Sequence, residues 1–126
     1  MIALADTSLF SARKQSRPLT APPPDEIAVS IVTVAELRLG VLMAADPSSR
    51  ATRMATLRLA ESLEPLAVDD VVADAWARLV AELRSKGARM PLNDSWIAAT
   101  ALAHGLPVAT QDRDYDAVGG LAIIRL

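Results

Sequence analysis

Two spacings of apolar residues alternate along this chain. Short, mostly apolar runs at residues 2–5, 27–30, 66–68, 108–110 and 121–125 have the length and character of buried strands. Between them, apolar residues recur every three to four positions, the period of a helix with one buried face. Val34, Leu37, Val41 and Leu42 mark one such helix over 33–44. Met54, Leu57 and Leu63, set among Arg53, Arg58 and Glu61, mark a second over 50–63. The longest, over 69–86, carries Val72, Trp76, Leu79, Val80 and Leu83. A last helix over 94–104 closes at Gly105, two residues before Pro107.

Polar and special residues punctuate the pattern. Asp6, Thr7 and Ser8 follow the first run and are good helix caps, so a short helix is expected over 9–15. Residues 17–25 hold Pro18, Pro22, Pro23 and Pro24, which suit neither a helix interior nor a central strand, and read as a surface loop. Gly87 sits just past the long helix, and Asn93 stands where the last helix needs an N-cap. Strands alternating with helices argue for a parallel sheet covered on both faces. The expected fold is a three-layer α/β/α sandwich with a short, mainly parallel sheet of four or five strands, built from residues 1–126 as a single domain.

Composition narrows the function classes. With 52% hydrophobic residues the chain is not disordered. A net charge of −2 excludes a strongly basic, charge-driven nucleic-acid binder, but leaves room for a local basic rim. The absence of Cys excludes disulfides and thiolate zinc sites. No apolar run approaches a membrane span, and Asp6 interrupts the first run with no basic residue before it, so no signal peptide is expected. The expectation is a soluble cytoplasmic domain.

The acids carry the chemistry. In an open parallel sheet, ligands bind beyond the carboxyl ends of the strands. Asp6 follows the first strand, and Asp112 and Asp114 follow the strand over 108–110. Glu36 lies early in the helix after the second strand, and Asp94 opens the last helix. All can converge on one edge. Crowded carboxylates repel one another and take up protons or a cation. Hard oxygen ligands suit Mg²⁺ or Mn²⁺, which can activate water for attack on phosphorus. There is no competing nucleophile set: no Cys, one His and no Gly-rich phosphate loop. A structural reading of each acid stays open. Asp6 could cap a helix, Thr33 and Glu36 have capping-box spacing, Asp94 complements a helix dipole, and Asp112 and Asp114 are common turn residues.

Four motifs, in order, resemble those of PIN domains. They are Ala5-Asp6-Thr7-Ser8, Ala35-Glu36-Leu37-Arg38-Leu39-Gly40, the stretch from Asn93-Asp94-Ser95-Trp96 to Ala101, and Thr110-Gln111-Asp112-Arg113-Asp114-Tyr115. None is specific alone, but together they span essentially the whole chain. Its compact length and the Val34-Ala35-Glu36-Leu37-Arg38-Leu39-Gly40 run are similar to bacterial VapC toxins. The resemblance implies an endoribonuclease whose metal is held by Asp6, Glu36, Asp94 and Asp112, with Asp114 a fifth member and Thr7 or Ser8 supporting the site. It implies cleavage to a 5′-phosphate and a 3′-hydroxyl, and inhibition by a VapB-like antitoxin whose C-terminal segment covers the site. It also implies a homodimer and a toxin–antitoxin hetero-oligomer. The expected substrate is a structured RNA, either tRNA or rRNA, whose cutting stops translation.

Other residues have two readings. Arg13, Lys14 and Arg17 could contact RNA phosphates or form a solvated basic loop. Arg84, Lys86 and Arg89 form a second basic cluster; the first two also complement a helix C-terminus, which leaves Arg89 as the RNA candidate. Trp96 could stack on a base, though packing suits its apolar helix better, and Trp76 reads as structural. His104, the sole His, reads as a helix-end surface residue. Met43, Met54, Leu57 and Leu63 could line a groove for a partner helix or belong to the core. A receiver domain would need a late Lys, and none follows Lys86. A haloacid-dehalogenase-type phosphatase would need Asp-x-Asp where Asp6-Thr7-Ser8 stands. A non-catalytic PIN domain serving as half of a repressor complex is the remaining alternative, and the full set of acids argues against it.

Overall fold

The computed structural model describes residues 1–10, 21–22 and 24–126. Arg13, Lys14 and Arg17, most of the helix expected over 9–15 and much of the proline-rich loop lie outside the described residues. Among the described residues there are four short strands: β1 (Ile2–Ala5), β2 (Glu26–Ala28), β3 (Val108–Thr110) and β4 (Ile123–Arg125). They form one sheet in the order β2-β1-β3-β4, and every pairing is parallel. The described residues also form four helices: α1 (Ile31–Leu42), α2 (Pro47–Glu61), α3 (Asp70–Ser85) and α4 (Leu92–His104). A 3-10 turn, Thr7–Phe10, directly follows Asp6. No helix among the described residues is long and apolar enough to cross a membrane.

Alternation along the strands builds two cores. On one face Leu4 and Val108, paired in register, pack with Leu79 and Leu83 of α3 and Ile97, Ala98 and Ala101 of α4. On the other, Ala5 packs with Val34 and Val41 of α1 and Leu57 and Ala60 of α2. The small residues Ala3, Ala5 and Ala109 are fully buried, so helices and sheet approach closely there. Three layers result, as expected. The chain leaves β1 for one side of the sheet and later returns to its other side. The carboxyl ends of β1 and β3 therefore flank a topological switch point, where such sheets bind ligands.

The expected elements shift in three places. The strand expected over 66–68 is reduced to one parallel bridge between Ser30 and Leu66, leaving four strands. Asn93 is not a cap: α4 begins at Leu92 with Pro91 at the cap position and no side-chain cap bond, so Asp94 falls within its first turn. Thr33 is not a cap either. Ser30 caps α1, its hydroxyl accepting from Val32 N–H at 3.0 Å, and Thr33 lies inside the helix. Gly105 does end α4 in the left-handed region, at φ 65°, where only glycine is unstrained.

Candidate active site

Asp6 sits at the switch point. Its N–H donates to the Ala109 carbonyl at 3.0 Å, continuing the β1–β3 ladder. Its buried carboxylate accepts three hydroxyls. Ser8 Oγ at 2.6 Å and Thr110 Oγ1 at 2.9 Å reach Oδ2, and Tyr115 OH at 2.9 Å reaches Oδ1. Among the described residues the Asp6 side chain caps no helix; its oxygens are held by these hydroxyls. Hydrogen bonds to charged groups contribute about 1.5–3 kcal/mol each, so this cluster also ties the site to the fold. Burial, then the charges of Asp6 and Asp94, push the Tyr115 hydroxyl well above its ordinary range, so it acts as a neutral donor.

Glu36 is held from the first motif. Thr7 Oγ1 donates to Glu36 Oε1 at 2.8 Å and lies 2.7 Å from Thr33 Oγ1. A hydroxyl has one proton, so Thr33 must donate to Thr7. The Thr33-to-Glu36 spacing therefore reflects a relay from α1 to the turn after β1, not a capping box. Thr33 is fully buried and makes that relay rigid.

Asp94 and Asp114 meet at the same edge. Asp94 has its pKa pushed up to about 7, first by burial, then by a hydrogen bond with Asp114 and the negative charges of Asp6, Asp114 and Glu36. Four acids from four separate segments therefore act on one another. Asp112 enters through its backbone. Its N–H donates to Thr110 Oγ1 at 2.9 Å, so one hydroxyl joins Asp112 to Asp6. Arg125 donates to the Asp112 carbonyl and to Asp116, bracing the turn from β4. Thr110, Tyr115, Thr33 and Arg125 had no role assigned from sequence. Tyr115 is the chain's only tyrosine and ends the fourth motif, which was the available signal.

Among the described residues, no three His, Cys, Asp or Glu side chains stand in an arrangement that could hold a metal ion. Asp6 and Glu36 accept hydroxyls, and Asp94 and Asp114 bond each other. The donor chemistry nevertheless fits a hard dication. Every candidate ligand is a carboxylate, and the raised pKa of Asp94 shows a cluster with more negative charge than it can carry without a proton or a cation.

Around the acids, Trp96 stacks on Trp76 with ring centroids 4.4 Å apart and planes 7° from parallel. That contact, worth about 0.5–1.5 kcal/mol, answers the base-stacking alternative for Trp96 with packing. Arg89 is exposed on the rim of a cavity beside Ser95. His104 is exposed in the last turn of α4. Leu57 is buried, and Met54 and Leu63 pack against the α1–α2 core. Of the four groove candidates only Met43 is exposed, and the apolar surface there comes from Leu39, Leu42, Met43 and Leu59.

A PIN domain model matches residues 3–121. Ribonuclease VapC4 of Mycobacterium tuberculosis is 48% identical over 129 aligned positions, covering 98% of this chain and 96% of that protein. Ribonuclease VapC5 of the same organism is 48% identical, covering 96% of this chain and 90% of that protein. The crystal structure of the toxin–antitoxin complex VapBC-5 from Mycobacterium tuberculosis superposes with a TM-score of 0.88 at 46% identity, covering 99% of this chain and 98% of that one. The chain belongs to the PIN-domain family, and within it to the VapC group.

Proposed function

We propose that this chain is a Mg²⁺-dependent endoribonuclease and the toxin of a VapBC-type pair, acting in the cytoplasm on a structured RNA, tRNA or rRNA, and so halting translation. Mn²⁺ can replace Mg²⁺ in such a site. One observation carries the reading: Asp6, Glu36 and Asp114 gather around the half-buried Asp94 at the switch point and, with its burial, push its pKa up to about 7. Asp6, Glu36, Asp94 and Asp112 would hold the ion, with Asp114 beside Asp94. When bound, it supplies a Lewis acid for the phosphate and lowers the pKa of an attacking water.

The chain's own residues prepare that chemistry. Ser8, Thr110 and Tyr115 orient Asp6. Thr7 and Thr33 orient Glu36. Asp94, hydrogen-bonded to Asp114, would give up its proton where a cation is held. A VapB-like antitoxin is the expected partner in a hetero-oligomer. The exposed Leu39, Leu42, Met43 and Leu59 support an apolar contact with such a partner. A homodimer of this chain is the expected core of the complex.

The test is cleavage of total cellular RNA by wild type and Asp94→Asn, each with Mg²⁺ and with EDTA. Discrete fragments with 5′-phosphate ends, from wild type with Mg²⁺ alone, are expected. If neither protein cuts while wild type still binds Mg²⁺ and an antitoxin, the catalytic claim gives way to a regulatory one.

A further inference from the structure

A cavity of about 580 Å³ opens between the C-terminal half of α3, the turn that follows it and the start of α4. It falls within the size range of pockets that enclose small ligands, about 300–1,000 Å³. Its lining joins apolar and cationic groups: Trp76, Val80, Leu83 and Met90 with Arg84 and Arg89. Both arginines are exposed, and neither has an acidic partner among the described residues. The cavity is one residue along the chain from the acidic site. Ser95 lines it, accepts Trp76 Nε1–H at 2.9 Å, and directly follows Asp94. On a helix, that single step turns the chain by about 100°, so cavity and acids face adjacent sides of the start of α4.

We propose that this cavity takes one unstacked nucleotide of the RNA, its base against the apolar lining and its phosphates on Arg84 and Arg89, and so selects which bond reaches the acids. The inference rests on the reading of the acidic cleft as a ribonuclease. The charge pattern favours RNA over an apolar peptide. Two exposed guanidiniums line the cavity, with no acidic partner among the described residues, and they offer the planar donors that phosphate oxygens accept in pairs. Sequence-specific RNA recognition uses splayed bases in pockets of this mixed character. An otherwise acidic chain also needs local positive charge beside its cleft, and this cavity supplies it.

Of the chain's two tryptophans, Trp76 lines the cavity and Trp96 stacks on it, so their fluorescence reports on the cavity. Wild type in EDTA is titrated with short single-stranded RNA oligonucleotides and followed by tryptophan fluorescence. A saturable change is expected. Arg84→Ala and Arg89→Ala should each weaken it several-fold and lower the slope of log affinity against log salt by about 1. Val80→Phe, which fills the cavity, should abolish the change while circular dichroism and melting temperature stay native. It should also redistribute the fragments from total RNA with Mg²⁺.

Three binding outcomes each overturn the proposal. They are no saturable change with RNA, a change that both arginine variants retain with unaltered salt slope, or a change produced by an acidic peptide and not by RNA. Cleavage with an unchanged fragment pattern in Val80→Phe would sink the pocket and spare the nuclease. RNA binding that needs both arginines, from a wild type that never cuts, would sink the nuclease and leave a nucleotide site.

Discussion

Replacing Asp94 by Asn should make the metal-free protein more stable at alkaline pH. Asp94 binds its proton up to about pH 7 in the folded chain, against 3.8 for an ordinary aspartate. Because the folded pKa is raised, the contribution of the protonated carboxyl is fully present below about pH 4 and is lost as pH rises through about 7. At about 1.36 kcal/mol per pH unit the ceiling would be about 4 kcal/mol. Asp94 is only half-buried, and solvent screening reduces this to roughly 1–2 kcal/mol. For a domain of this size that is about 4–8 °C in melting temperature. Asn imitates the protonated acid, since its amide can donate to Asp114 and carries no charge. Thermal melts in EDTA from pH 4 to pH 8 should show the two proteins close together at pH 4 and Asp94→Asn ahead by about 4–8 °C at pH 8. Saturating Mg²⁺ should restore the wild type at high pH and do little for the variant, because the ion and the proton compete for one carboxylate pair. A difference between the two melting curves that stays constant across that range would refute the reasoning, because it would mean no proton is held at Asp94.

Tyr115→Phe removes one of three donors from the buried Asp6 and should cost about 1–3 kcal/mol in urea unfolding, with RNA cleavage falling alongside. Thr110→Val removes both the donor to Asp6 and the acceptor for Asp112 N–H, and should cost at least as much by the same assay; an unchanged midpoint would show that the hydroxyl is not holding the turn. Ser30→Ala uncaps α1, for about 1 kcal/mol, with the loss seen in stability and not in the pattern of cleaved fragments. Gly105→Ala forces a left-handed residue to carry a Cβ and should cost about 1 kcal/mol in the same unfolding experiment.

The period of the apolar residues was enough to place all four helices to within a few residues, and to give a parallel sheet. It worked because each helix buries one stripe and the two central strands, β1 and β3, are buried almost throughout. Its errors fell where local chemistry is ambiguous. Leu66 follows Pro65 in a run that reads as a strand, but its pairing reduces to a single bridge to Ser30. Asn93 has the right side chain for a cap one residue too late, because Pro91 already turns the chain into α4. Thr33 and Glu36 have capping-box spacing, and only the structure shows Ser30 doing the capping while Thr33 serves the site.

The acids were legible because strand ends in a parallel sheet point to one edge. How they are held was not. Thr110 and Tyr115 stand 104 and 109 positions from the Asp6 carboxylate they bind, and no local pattern carries a contact of that reach. What brings them together is the β1–β3 pairing, with Leu4 beside Val108 and Ala5 beside Ala109. The same ladder continues one residue further through the Asp6 N–H bond to Ala109. Strand register and site geometry are therefore one constraint. A slip of one residue would turn Leu4 and Val108 out of their core and take Thr110 and Tyr115 away from Asp6 together. The hydrophobic faces of two central strands thus fix the position of a polar cluster that hydroxyl groups alone could not specify. It follows that changes packing under Leu4 or Val108 should disturb the acids before they unfold the chain.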